Sequence, residues 1–169
     1  QSTAHNCAMI NGCQQHDGDN FTAKEVSSSL TNDKVQLKLD LRHAYVEDAK
    51  IHFYTREFDF DKNTGELIIK DDITLDVETD NVDVHFMTAD KVELHGQSVD
   101  ILLNNGKKVT ITVDAEADVS LEYHYFINKE YEHYFKYDEA DGPSAAKRIV
   151  FKMKKNTDHH VIRTLTTHD

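Results

Sequence analysis

Alternation of apolar and polar residues is the feature that most restricts what this chain can fold into. Residues 35–41 alternate without interruption, and residues 82–86 and 92–95 repeat the pattern. Because successive side chains of a strand point to opposite faces, this spacing predicts strands with one buried and one solvated face. The other segments that read as strands are residues 51–60, 66–70, 99–103, 108–113, 119–127, 149–153 and 160–165.

Turn residues separate these segments, and no long helical period interrupts them. Asn11-Gly12 and Asn105-Gly106 supply residues that tolerate the positive φ angles of tight hairpins. The one stretch with helical potential, residues 46–49, is too short to form a stable helix. Roughly eleven short strands therefore predict an all-β fold. We expect an antiparallel multi-stranded β-sandwich, formed as a single domain over residues 1–169, with a loop at residues 138–146.

The charge balance restricts the partners of the chain. It has 31 acidic and 19 basic residues and a formal net charge of −12, which disfavours nucleic acid and anionic membrane surfaces. No apolar run approaches the ~18 residues that a membrane-spanning helix requires, so no membrane partner is expected. Cys7 and Cys13 flank the first turn in positions that do not suit a bridge, and we expect two free, partly buried thiols.

The chemistry of two side chains, those of His5 and Arg56, suggests functional roles. His5 could bind a metal, since imidazole is a common ligand, but one histidine cannot complete a zinc site, and a surface or hydrogen-bonded histidine in the strand entering the turn is the alternative. Arg56 could clamp a substrate carboxylate with two hydrogen bonds. The alternative for Arg56, favoured by the acidic excess, is an ion pair with an aspartate or glutamate of a neighbouring strand.

A longer pattern surrounds His5. Residues 2–15 read Ser-x-x-His-Asn-x-x-x-(Ile/Val)-(Asp/Asn)-Gly-x-x-Gln, and this resembles the entry to the C-terminal β-domain of the heparinase II/III-like polysaccharide lyases. Residues 18–23, 39–45, 54–58 and 67–75 resemble the next landmarks of that domain in the same order. The match covers about the first 90 residues, and the remainder agrees only in its strand-rich character.

The resemblance implies the C-terminal part of a larger bacterial lyase, periplasmic or secreted, that cleaves a uronic-acid-containing polysaccharide such as a glycosaminoglycan by β-elimination. In that family an N-terminal α-helical toroid carries the catalytic residues, and a zinc at the domain junction is held by a His-x-His segment, an aspartate and the histidine of the His-Asn motif. Only the last maps here, onto His5, so we expect one zinc ligand, a cleft wall and no catalytic residue from this chain. Asn6 is expected to orient the neighbouring loop or contact the substrate.

The acidic composition of the chain disfavours binding of a polyanionic substrate, because like charges repel. Local Lys and Arg side chains could line the cleft, the basic surface could belong to the missing helical domain, or the substrate could carry few sulfates. A different class of function is also open, since a free-standing β-sandwich could bind carbohydrate or act in adhesion without catalysis, with His5 as a turn residue. Tyrosines that could stack on sugars, although alternation favours a core face for the first two, are Tyr123, Tyr125, Tyr131, Tyr134 and Tyr137.

Overall fold

A computed structural model describes residues 5–125 and 145–169 of the chain. Within these ranges it contains twelve β-strands and two short 3-10 helices, Arg42–Ala44 and Glu47–Ala49. The strands are β1 (Ala8–Ile10), β2 (Lys24–Leu30), β3 (Lys34–Asp40), β4 (Ile51–Asp61), β5 (Leu67–Thr79), β6 (Val82–Thr88), β7 (Lys91–His95), β8 (Ser98–Leu102), β9 (Lys108–Val113), β10 (Ala117–Tyr125), β11 (Ala145–Met153) and β12 (Thr157–His168).

The strands form two sheets, and every strand pairing is antiparallel. The small sheet has four strands in the order β1-β6-β11-β10. The large sheet has eight in the order β2-β3-β4-β5-β12-β9-β8-β7. This arrangement confirms the predicted all-β antiparallel sandwich.

Apolar side chains from the inner faces of both sheets make the core. Strand β5 shows the reason, because Ile69, Ile73 and Leu75 are buried while the intervening residues Lys70, Asp72 and Thr74 are partly exposed. The small sheet contributes Val84 from β6 and Phe151 from β11 in the same way. Burying one face of each sheet supplies the main favourable free energy of folding.

One strand was missed and one expectation about a side chain was wrong, and both concern sheet edges. Strand β2 was not predicted, because as an edge strand all of its residues are exposed and it lacks the alternation that marks a half-buried strand. Tyr123, expected on a core face, is 44% exposed on β10, which lies at the edge of the small sheet. Tyr131, Tyr134, Tyr137 and most of the predicted loop, residues 138–144, lie outside the described residues.

The connection between β3 and β4 packs against the first hairpin of the chain. It contains both 3-10 helices, the second of which coincides with the weakly helical stretch of the sequence. Lys50 ends that helix in the left-handed conformation, with φ of 58°. Tyr45 and Ala49 are buried, and hydrogen bonds from Tyr45 to Ala8 and from Asn11 to Ala49 attach the connection to strand β1 and its turn.

Candidate functional site

The first hairpin forms as its residues predict. Ile10 and Cys13 exchange two backbone hydrogen bonds, of 3.1 and 2.9 Å, across a two-residue turn. Asn11 and Gly12 in that turn have φ of 51° and 73°, the signature of a type I′ turn. The Asn11 side chain donates to the Ala49 carbonyl at 2.9 Å, so the turn is fixed to the β3–β4 connection.

His5 lies before β1, in an exposed bend, and not on a strand as expected. A hydrogen bond to a side chain takes the place of backbone pairing here. The Met87 backbone N–H of β6 donates to Oδ1 of Asn6 at 2.8 Å. The His85 N–H donates to the Cys7 carbonyl at 3.0 Å, and regular pairing with β6 begins at Ala8. Residues 5–7, which we call the His-Asn segment, are therefore attached to β6 without being a strand.

A buried ion pair lies behind this segment. Arg56 of β4 and Asp71 of β5 are directly opposite in the strand register. The guanidinium donates from Nε to Asp71 Oδ1 at 2.7 Å and from Nη2 to Oδ2 at 2.9 Å, the two-bond geometry typical of strong arginine–carboxylate pairs. Asp71 is fully buried, and Arg56 is 6% exposed. The ion pair that the acidic excess favoured is thus what the structure contains.

Two tyrosines extend the network. The Tyr54 hydroxyl donates to Asp71 Oδ1 at 2.7 Å, and the Tyr45 hydroxyl donates to the Ala8 carbonyl at 2.8 Å. Burial raises the pKa of both phenols well above the ordinary value, so each remains a protonated donor. For Tyr54 the neighbouring Asp71 carboxylate raises the pKa further.

The third nitrogen of the guanidinium joins this network to the His-Asn segment. Arg56 Nη1 donates to the backbone carbonyl of Asn6 at 2.9 Å. The structure therefore brings Asn6 and Arg56 into contact, and His5 directly precedes Asn6 in the chain. Arg42, another arginine of the chain, is exposed in the first 3-10 helix, and its side chain has no hydrogen bond or ion pair with this network among the described residues.

An open cavity of about 490 Å³ adjoins His5. Its lining brings together two imidazoles, a thiol and a carboxylate, from His5, His16, Cys13 and Asp17. His16 Nδ1 lies 2.7 Å from the Asp17 carbonyl oxygen, and its ring packs on Phe21 with the ring centroids 4.4 Å apart. These donor types suit zinc, but within residues 5–125 and 145–169 no three or more such side chains are grouped closely enough to hold a metal ion.

Cys7 and Cys13 are free and partly buried, as predicted. Burial raises the pKa of the Cys7 thiol, and its Sγ lies 3.4 Å from Gln15 Oε1 as a weak donor. Both features keep this thiol protonated and poorly reactive.

The sequence did not point to Asp71, Tyr54 or His16 as parts of the site. For Asp71 a signal was present, because an aspartate stands between Ile69 and Ile73 at an inward position of β5. A carboxylate on a core face requires a partner, and Arg56 supplies it. For Tyr54 and His16 no pattern in the sequence indicates their placement.

Comparison with known proteins supports the fold. No protein-family model and no curated protein sequence matches the chain. Solved structures do match: a mutant of the heparan sulfate lyase HepC from Pedobacter heparinus has a TM-score of 0.71 at 12% identity, covering 99% of this chain and 24% of that one. The heparinase III BT4657 gene product gives 0.69 at 11% identity, with the same two coverages. Another heparinase III gives 0.64 at 12% identity, covering 97% and 23%.

These likenesses establish a shared fold, the β-sandwich that forms about a quarter of each lyase. The chain spans only 24% of the length of the HepC mutant and of the BT4657 product. In the ranges that the structure describes, none of the helices has the length and apolar character that crossing a bilayer demands.

Proposed function

We propose that this chain is the C-terminal β-sandwich domain of a polysaccharide lyase acting on a uronic-acid-containing polysaccharide, with 1–169 forming one domain. The observation that carries the proposal is the match of nearly the whole chain to a region of heparan sulfate lyases at TM-scores of 0.64 to 0.71. The His-Asn motif supports it independently, since it is a feature of the sequence alone. A periplasmic or secreted location and an acidic polysaccharide partner belong to the same proposal.

In this proposal His5 is one ligand of a zinc shared with the N-terminal helical domain. The donor chemistry fits, because the imidazole is exposed and has no hydrogen bond to another described residue. The described residues offer no complete set of ligands, so the remaining ligands would have to come from outside these residues. Zinc in such a site would hold the two domains in register.

The proposed reaction needs a base that removes the C5 proton of a uronic acid, a group that neutralises its carboxylate, and an acid that protonates the departing glycosidic oxygen. We assign none of these roles to the present chain. Its own contribution is a cleft wall, with Asn6 beside His5 in reach of the domain junction. A direct contact of Arg56 with the substrate carboxylate also stays a prediction.

The test compares the chain with the product of the complete gene. The complete protein should convert heparan sulfate or an unsulfated polyuronate into oligosaccharides whose new ends absorb ultraviolet light, because elimination leaves a conjugated double bond. The isolated chain should release none. Turnover by the isolated chain, or inactivity of the complete protein on every uronate polymer, would contradict the proposal.

The zinc assignment is tested by metal analysis of the complete protein. His5→Ala should lose zinc and lower the melting temperature together, since a structural zinc contributes on the order of 10 kcal/mol or more. His43→Ala, which changes an exposed histidine of the first 3-10 helix, is the matched control and should keep the metal. Full zinc occupancy and unchanged melting in His5→Ala would show that His5 is not a ligand.

The exposure of Tyr123 supports a second candidate, a carbohydrate-binding or adhesion domain without catalysis. An aromatic ring on a sheet surface can stack on a sugar. This candidate predicts that the isolated chain binds polysaccharide and that Tyr123→Ala abolishes the binding. The lyase proposal predicts weak binding that Tyr123→Ala does not change.

A further inference from the structure

We infer that Arg56 is a positioning residue, which holds the His-Asn segment on the sandwich while Asp71 holds its guanidinium. The role in positioning the segment rests on contacts within this chain. Its importance for a zinc ligand at His5 rests on the proposed function.

The guanidinium is held by groups inside the sandwich. Burying an unpaired charged group costs on the order of several kcal/mol, and a partner of opposite charge offsets that cost. Asp71 takes two of the guanidinium bonds, at 2.7 and 2.9 Å, and receives a further bond from Tyr54. A guanidinium fixed at two nitrogens has its plane set, so the direction in which Nη1 donates is set as well.

The position of the His-Asn segment depends on that direction. Nη1 donates to the Asn6 carbonyl, the backbone group of the residue next to His5. The side chains of His5 and Asn6 are exposed, so burial contributes little to holding this segment. Its other attachments to the sandwich include the bonds from the Met87 and His85 amides of β6. The charged donor is the strongest type among these bonds.

The bonds and the burial of the guanidinium separate positioning from substrate contact. Nε, Nη1 and Nη2 of Arg56 all donate to groups of the chain itself. These bonds use three of its five N–H donors, and Arg56 is only 6% exposed, so a substrate carboxylate would have to reach a buried group. The arrangement therefore favours an indirect role, in which Arg56 acts through Asn6.

Amide hydrogen exchange on the isolated 169-residue chain tests the inference. The amides of His85 and Met87 report whether the segment is attached, and the amide of Asp114, which donates to the Arg163 carbonyl of β12, reports on the large sheet itself. Arg56→Lys retains a charge for Asp71 but cannot reach both partners. We expect exchange at Met87 and His85 to rise about tenfold more than at Asp114, the equivalent of one hydrogen bond.

Tyr54→Phe is the matched control. It removes a bond to Asp71 and leaves Arg56 with its bond to Asn6, so any increase in exchange should be uniform. Should Arg56→Lys not fold, the double variant Arg56→Met with Asp71→Leu removes both charges, and neutral replacement of a buried pair is often tolerated. It should show the same selective increase. Equal increases at all three amides in the Arg56 variants would overturn the inference.

Zinc binding by the complete protein distinguishes this inference from the proposed function. If both hold, His5→Ala loses zinc and the Arg56 variants bind it about 10- to 100-fold more weakly, as expected when support for a ligand is removed. If the amides respond selectively but His5→Ala keeps its zinc, the proposed function fails and the positioning role stands. If His5→Ala loses zinc but the Arg56 variants keep both affinity and amide protection, only the positioning inference fails.

Discussion

Two ion pairs that share strand β4 have the same donor–acceptor distance but differ in burial, so distance alone does not determine what an ion pair contributes to stability. Arg56 and Glu57 are consecutive, so their side chains lie on opposite faces of the large sheet. Arg56 bonds to Asp71 at 2.7 Å inside the sandwich, and Glu57 accepts from Lys38 at the same 2.7 Å outside it. The inner side chains are 7% and 0% exposed, and the outer ones 35% and 40%.

The difference in burial changes what each pair does. Water screens the outer charges and can replace either partner, so the pair contributes little. Neither inner charge can be left alone, so the inner pair fixes the register of β4 against β5 and, through Nη1, the position of Asn6. Substitutions on the two faces should therefore differ in their effect on stability.

Removing Asp71 should have the largest effect. Asp71→Ala leaves the Arg56 guanidinium buried without its counter-charge, which typically costs about 3–5 kcal/mol. Urea denaturation of the isolated chain measures the loss as a lower midpoint. Glu57→Ala on the outer face is the control and should change the midpoint little. Similar losses in the two variants would remove the distinction between the faces.

These two pairs also show where sequence reasoning succeeds and where it stops. The Asn11-Gly12 hairpin was predictable, because both residues that need positive φ are adjacent in the chain. The sandwich was predictable because apolar and polar residues alternate in most of the strands. The Arg56–Asp71 pair required knowing that β4 lies beside β5 in one particular register, and a shift of one residue would face Arg56 with Asp72 or Lys70.

The site shows the same limit. His5 and Asn6 were found from a local motif, and the structure adds that Asn6 contacts Arg56, 50 positions away. His16 shares a cavity with His5 only because the turn reverses the chain between them. Contacts between distant segments depend on the whole topology, which no short pattern contains.

The next effect is smaller and concerns the two tyrosines. Tyr54→Phe removes a hydrogen bond to a charged carboxylate and should cost about 1.5–3 kcal/mol. Tyr45→Phe removes a bond to the neutral Ala8 carbonyl and should cost about 0.5–1.5 kcal/mol. Chemical denaturation of both variants gives the ratio. A larger loss for Tyr45→Phe would mean that the charge on Asp71 does not strengthen its bond to Tyr54.

Consecutive histidines on β12 provide a pH-dependent form of the comparison. His160 is 5% exposed and donates to the Thr79 and Thr157 carbonyls, whereas His159 is exposed and lies 2.9 Å from Asp72. Burial lowers the pKa of His160 below its ordinary 6.5. The unfolded chain therefore takes up the proton first, and the free energy of unfolding should fall as the pH drops from about 7 towards about 5.

Replacing each histidine in turn measures this effect. His160→Gln should flatten the fall in stability over that pH range, because the group that gains a proton on unfolding is gone. His159→Gln, the same change at an exposed position of the same strand, is the control for the substitution itself. Thermal melting at a series of pH values gives the slope for each variant. An unchanged slope in His160→Gln would show that His160 is not the group responsible.

The smallest effect is expected for the outer pair. A double-mutant cycle with Lys38→Met and Glu57→Gln should give a coupling free energy of about 0.2–1 kcal/mol at low salt, because solvent screens both charges. Raising the salt concentration to ~1 M should reduce it towards zero, since the screening length falls to about 3 Å. Lys38 of β3 and Glu57 of β4 lie directly opposite each other in the strand register, which is a favourable geometry for an ion pair. A coupling above about 2 kcal/mol would mean that the outer face is less accessible to water than its exposure indicates, as it would be if another part of the protein covered it.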